Sequence, residues 1–186
     1  MQEDDELLDA TAALIRQARE VVPGYAAGKV LVGSWELAKL LRHTRSQVVE
    51  RRFASRARGL AIPDYDADGP IHLIGIDSAH NRTDHACSIR HELAHVLCGE
   101  AEEAVYLTDE DTLSFPERRA DLFAVADLVP AGFLEVLRMG PRGGVRPWSH
   151  VRLEVAHTFR ELTGWSELRV WDRARLRVRL YRERGV

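Results

Sequence analysis

The chain has 186 residues, 45% of them hydrophobic and 30% charged, with a formal net charge of -3. This balance builds a globular core; it excludes a disordered chain, and the net charge excludes a general polyanion binder. No run approaches the ~18 apolar residues that span a bilayer, and the start, "MQEDDELLDA", is acidic where a secretory leader is basic and then apolar. The expectation is a cytosolic protein in which Cys87 and Cys98 are free, partly buried thiols.

In chain order, Leu7, Leu8, Ala12, Leu14, Ile15 and Ala18 predict an amphipathic helix over 5–21. "VVPGYAAG" breaks it. A second helix starts at Ser34, a plausible N-cap, and runs through "WELAKLLRHTR" with Trp35, Leu37, Ala38, Leu40 and Leu41 on one broad face. "SQVVERRF" fits strand and helix equally. The aliphatic runs "RGLAI" and "IHLIGID", separated by the turn cluster "PDYDADGP", predict strands over 59–63 and 71–77. A helix over 84–98 follows, with Gly99 as its stop. Another begins near Pro116, a residue suited to the first helical position, and ends at Pro130. Beyond the loop "MGPRGGVRP", "HVRLEVAHTFRELTG" predicts a further helix. In the tail, Arg alternates with apolar residues from Arg175 to Tyr181. That period of two reads as a strand with one solvated basic face in preference to a nucleic-acid patch. The class is α+β: mostly helices, with a small mixed sheet beside the helix at 84–98. The chain divides into a helical part at 1–58, a core at 59–138 and a helical, basic extension at 139–186, together one compact domain.

"SIRHELAHVLCGE" carries the chemistry. Residues four apart share a helix face, so His91 and His95 direct both imidazoles at one point. Glu92, next to the first histidine, reaches water at that point without being a ligand; this is the general-base position of the H-E-x-x-H pattern. A catalytic zinc takes three protein ligands and keeps one position open. Downstream, "SFPERRADLFAVADLVP" offers Glu117 and Asp121, again four apart. Ser114 to Glu117 also reads as a capping box, and Asp121 as a solvated helix position. Beside the histidine helix, Glu117 is favoured as third ligand, with Asp121 accepting the free ring N–H of a ligand histidine. His80 and His85 read as loop or cap residues, and Cys98 as a buried thiol, because a fourth protein ligand would close the site. Tyr106, His150 and His157 are candidates for stabilising an oxyanion, and the spacing does not choose among them.

"IRHELAHVLCGE" followed by "ERRADLFAVADLVP" resembles the ImmA/IrrE family of zinc metallopeptidases. The shared pattern is an aliphatic strand, then H-E-x-x-H, then a helix of the form E-x-x-A-[DN]-x-F-A ending in Leu-x-Pro. Here those positions are "IHLIGID", His91 to His95, Glu117, Ala120, Asp121, Phe123, Ala124 and Leu128 to Pro130. The resemblance covers about 59–130. It implies a zincin-like fold, Zn2+ held by His91, His95 and Glu117, Glu92 as general base and Asp121 in support. Members often carry Glu before the Ala of the second motif; Arg119 stands there instead and is read as outward-facing.

The resemblance also implies a substrate, since family members often cleave a helix-turn-helix repressor. No clear helix-turn-helix pair precedes Phe53, so the partner is expected to be separately encoded and direct nucleic-acid binding is not expected. The competing readings are a regulatory or toxin-antitoxin partner that binds such a protein without cutting it, and a structural zinc protein with four protein ligands. The substrate strand is expected to add to the sheet edge at Ile71–Asp77. The oligomeric state is left open.

Overall fold

The computed structural model describes residues 2–28, 34–53, 57–79, 82–100, 105–107, 113–140, 143–163 and 165–186. Helix α1 (Gln2–Val21) and helix α2 (Ser34–His43) precede strands β1 (Ser46–Arg51), β2 (Ala57–Asp66) and β3 (Gly69–Asp77). Then come α3 (Arg82–Cys98), β4 (Val105–Leu107), α4 (Phe115–Leu128), α5 (Ala131–Arg138), α6 (Trp148–Leu162) and α7 (Glu167–Arg184). This is an α+β, zincin-like arrangement. One apolar cluster draws residues from Leu7 on α1 through Ile74, Leu93 and Phe123 to Leu180 on α7.

The sheet is mixed, in the order β1-β3-β2-β4. β1 lies parallel to β3 in the register Ser46↔His72 to Arg51↔Asp77. β2 and β3 form an antiparallel hairpin from Gly59↔Ile76 to Asp66↔Gly69. Its turn, at Ala67 and Asp68, is tied by Asp68 N–H to Asp66 Oδ1 at 2.9 Å and exits through Gly69 at φ 113°, a conformation that favours glycine. The hairpin extends well beyond the expected strands. Pro63 and Asp64 lie in β2, which tolerates a proline there because β4 pairs with it only as far as Leu60.

Two expectations fail on topology. β3 is paired on both sides along most of its length, so Ile71–Asp77 has no free edge for a substrate strand. Among the described strands the outer positions belong to β1 and β4. The tail is an 18-residue helix, not a strand. Ser166 caps it by accepting from Arg169 N–H, and Gly185 ends it at φ 70°. The alternation of Arg and apolar residues assumed that every arginine is solvated. Instead Arg169, Arg173 and Arg177, each four apart, face inward and are buried. Arg177 donates from Nε to Val129 O at 2.8 Å.

Smaller departures follow the same logic. Trp35 is 69% exposed, so the inner face of α2 is Leu37 and Leu40, with Leu41 half-buried beside them. α5 was not foreseen; it is a short helix begun at Pro130. The outer residues of α1 meet α7 through ion pairs. Arg175 and Arg179 reach Asp4, Arg179 reaches Asp5, and Arg184 reaches Asp9. Arg118 on α4 pairs with Glu3 and Asp4.

Candidate metal centre

α3 and α4 lie against each other beneath the sheet, and the centre forms where they meet. α4 is buried on every side from Ala120 onward, which is why its sequence shows no amphipathic face. A buried helix cannot carry bare charges, so each acidic residue on it must find partners. Asp127 binds Arg90 Nε at 2.6 Å and Ala26 N–H at 3.2 Å. Asp121 and Glu117 turn toward the histidines of α3.

His91 Nδ1 lies 2.9 Å from Asp121 Oδ1. An ionised carboxylate only accepts, so Nδ1 donates here, and the contact fixes the ring with Nε2 turned inward. His91 Nε2 lies 3.2 Å from His95 Nε2 and 3.0 Å from Glu117 Oε2. His95 Nε2 lies 3.3 Å from Glu117 Oε1. Ligand atoms on a tetrahedral zinc, at ~2.0–2.1 Å from the ion, stand roughly 3.3 Å from one another. Two imidazole nitrogens and one carboxylate at these separations therefore fit a zinc ion by both spacing and donor chemistry. Cys98 is not part of this group. It is half-buried, and burial pushes its thiol up despite the nearby Arg119.

The protonation states follow from the neighbours. Burial alone would lower the His91 imidazole, but its hydrogen bonds to Asp121 and Glu117 outweigh this and push it up to about 9. Burial would raise Glu117, yet its contacts with His91 and His95 bring it down to about 2. Asp121 is completely buried, and the charges of Arg169 and Arg173 overcome that burial to hold it far below the usual carboxylate range.

Glu92 contrasts with these. It is fully buried, and neither carboxylate oxygen has a hydrogen-bond partner among the described residues. Burial pushes it up to about 8, opposed by the charge of His91 and reinforced by that of Glu117.

Several partners escaped the sequence reading. Arg169 forks onto Asp121, with Nη2 at 2.6 Å from Oδ1 and Nε at 3.0 Å from Oδ2. Its guanidinium lies 4.5 Å over the Trp165 ring, which holds the fork in plane. Arg173 Nε adds a bond to Asp121 Oδ2 at 3.1 Å and also pairs with Asp172. Glu100 Oε2 lies 3.4 Å from His95 Nδ1, and Arg119 Nη2 donates to that same oxygen at 2.5 Å. Arg119 is thus half-buried and faces the centre, contrary to the outward position expected for it. Ser114 makes no side-chain cap bond, so the capping box does not form and Glu117 is free for the histidines.

His85 bonds Asp77 O at 3.0 Å. His150 and His157 are exposed on α6. His80 and the side chain of Tyr106 lie outside the described part of the structure.

A zincin-like fold with two histidines one turn apart, a glutamate beside the first and a third carboxylate from the next helix defines a metallopeptidase-type protein. Residues 36–160 match the IrrE N-terminal-like domain of a peptidase family, and the chain belongs to that family. No curated protein and no solved structure matches the chain at a significant level. The matched segment contains His91, His95, Glu117 and Asp121 but stops short of Arg169 and Arg173. Among the described residues no helix is long and apolar enough to cross a membrane.

Proposed function

We propose that this protein is a zinc-dependent endopeptidase of the cytosol that cleaves a separately encoded helix-turn-helix repressor. The observation that carries the reading is Glu92: a buried carboxylate with no hydrogen-bond partner among the described residues, beside three side chains that could hold a metal ion. Buried polar groups are almost always satisfied, and an exception in a cleft is a mark of function. A structural zinc site is the weaker reading, because it needs a fourth protein ligand and Cys98 does not supply one.

His91, His95 and Glu117 hold the ion, and Asp121 and Glu100 orient the two imidazoles through Nδ1. Bound zinc supplies a Lewis acid for the scissile carbonyl and lowers the pKa of its water to about 7. Glu92 takes a proton from the attacking water as its oxygen bonds to the carbonyl carbon. It returns that proton to the amide nitrogen as the C–N bond breaks. Burial raises the proton affinity of Glu92, which suits a group that takes up a proton and gives it back.

The substrate class rests on the family resemblance of 59–130. The test is to incubate the purified protein with the helix-turn-helix repressor encoded beside it, with zinc and with a chelator. Zinc-dependent cleavage is expected. A stable complex with no cleavage in zinc would favour a regulatory partner that does not cut.

A further inference from the structure

Glu92 sits under β2, and the residue it meets there is Gly59. A Cβ built on Gly59 would stand 2.7 Å from Glu92 Oε1, 3.0 Å from its Cγ and 3.2 Å from its Cδ. The first separation is closer than real Cβ atoms come and the other two are tighter than ordinary contact, so the stem of Glu92 as well as its tip would have to shift. The backbone does not ask for glycine: Gly59 is not among the positive-φ positions, which are Gly69, Gly99, Gly143 and Gly185. Strand chemistry argues against it as well, since glycine inside a strand packs nothing and is conformationally expensive. Gly59 nonetheless pairs with Ile76 on one side and Tyr106 on the other, next to a register shift between Ala57 and Gly59. Beside that shift, the close approach of Glu92 gives the missing side chain a use: it leaves space.

We infer that Gly59 is the positioning residue of the general base. Its missing side chain is the slot in which Glu92 lies flat against the sheet, and the slot fixes where the carboxylate stands relative to His91 and Glu117. This rests on the reading of Glu92 as the base. The slot itself is a statement about packing and is testable apart from catalysis.

The experiment is a double-mutant cycle on the zinc-loaded protein, read first by thermal unfolding. Gly59→Ala is expected to lower the Tm by about 5 °C, the scale of an overpacked contact in a chain of this size. In a Glu92→Ala background the same change should cost nothing, because the opposing stem is gone. With Glu92→Asp, one methylene shorter, most of the loss should be recovered. An equal Tm loss in all three backgrounds overturns the inference, since the glycine would then serve the backbone or the sheet. The second reading is cleavage of the repressor. Gly59→Ala should keep one zinc per chain and a KM within about twofold, while kcat falls about 100-fold, the cost of a misplaced reacting group. Wild-type kcat in Gly59→Ala, with wild type active, also overturns it. A wild-type protein that cuts no repressor would instead sink the proposed function and leave the Tm cycle to decide the slot.

Discussion

Asp121 and Glu92 are both carboxylates, both fully buried and both set against His91, yet the fold surrounds them in opposite ways. Asp121 receives His91 Nδ1, the fork of Arg169 and Nε of Arg173. Its charge is held and its orientation fixed. Glu92 has Gly59 on one side and no donor for either oxygen among the described residues. Its charged form is disfavoured and its proton affinity raised. A carboxylate with several fixed donors can orient another group but cannot exchange a proton, whereas one left bare can do the exchange. The difference between the two acids lies in partners, not in burial, and it is what the proposed roles of support and reaction rest on.

That contrast can be broken experimentally, beginning with the ligands. Glu117→Ala and His95→Ala should each leave the purified protein with little zinc by elemental analysis; undiminished zinc in both would dissolve the centre. Glu92→Gln comes next. It should retain zinc, and single-turnover cleavage should slow by roughly 10²–10⁴-fold, because the amide keeps the shape but takes no proton. Asp121→Ala should weaken zinc affinity by about 10–100-fold in chelator competition, less than Glu117→Ala does. If Asp121→Ala binds as tightly as wild type, the two carboxylates have been assigned the wrong roles.

The pH dependence follows from His91. Its imidazole is raised to about 9, so the protonated form prevails below that value, while a cation needs the bare Nε2. Apparent zinc affinity should therefore rise by about tenfold per pH unit up to about 9 and then level off. Glu117, held near 2, stays ionised throughout and adds no slope. A flat profile between pH 6 and 9 would contradict this. The smallest expected effect belongs to Arg169→Gln. Arg173 still holds Asp121, so zinc affinity should fall only roughly threefold, and not at all in an Asp121→Ala background.

The candidate ligands were legible in the sequence because helix geometry is local. A spacing of four places His91 over His95 and Glu117 over Asp121 whatever the rest of the chain does. The partners of those residues were less legible. Arg169 and Arg173 reach Asp121 from 48 and 52 residues away, and their alternating surroundings imitate a strand. Glu100 was closer to hand. Gly99 ends α3 at φ 70°, and Glu100 N–H then bonds back to His95 O at 2.9 Å, which folds its side chain over the last turn. Gly59 also carried a signal, since a glycine within an aliphatic strand often marks a close approach. What it approaches could not be read, because the partner lies on another element. The fold class followed from the run of helices around two aliphatic segments. The central place of β3 did not, because the order of strands in a sheet is set by pairings between distant segments, with no local trace.

The arginines of α7 also bear on the order in which the molecule is made. Asp121 and both histidines leave the ribosome well before Arg169 and Arg173, the residues that hold Asp121's charge in the folded protein. Until α7 emerges, that acid lacks both of its guanidinium partners, and burying it in the α3–α4 seam is costlier. The same helix is fastened to α1 by ion pairs to Asp4, Asp5 and Asp9, residues made before it. The candidate centre therefore gains its full support only after its own residues have been made, and its assembly is coupled to the docking of α7.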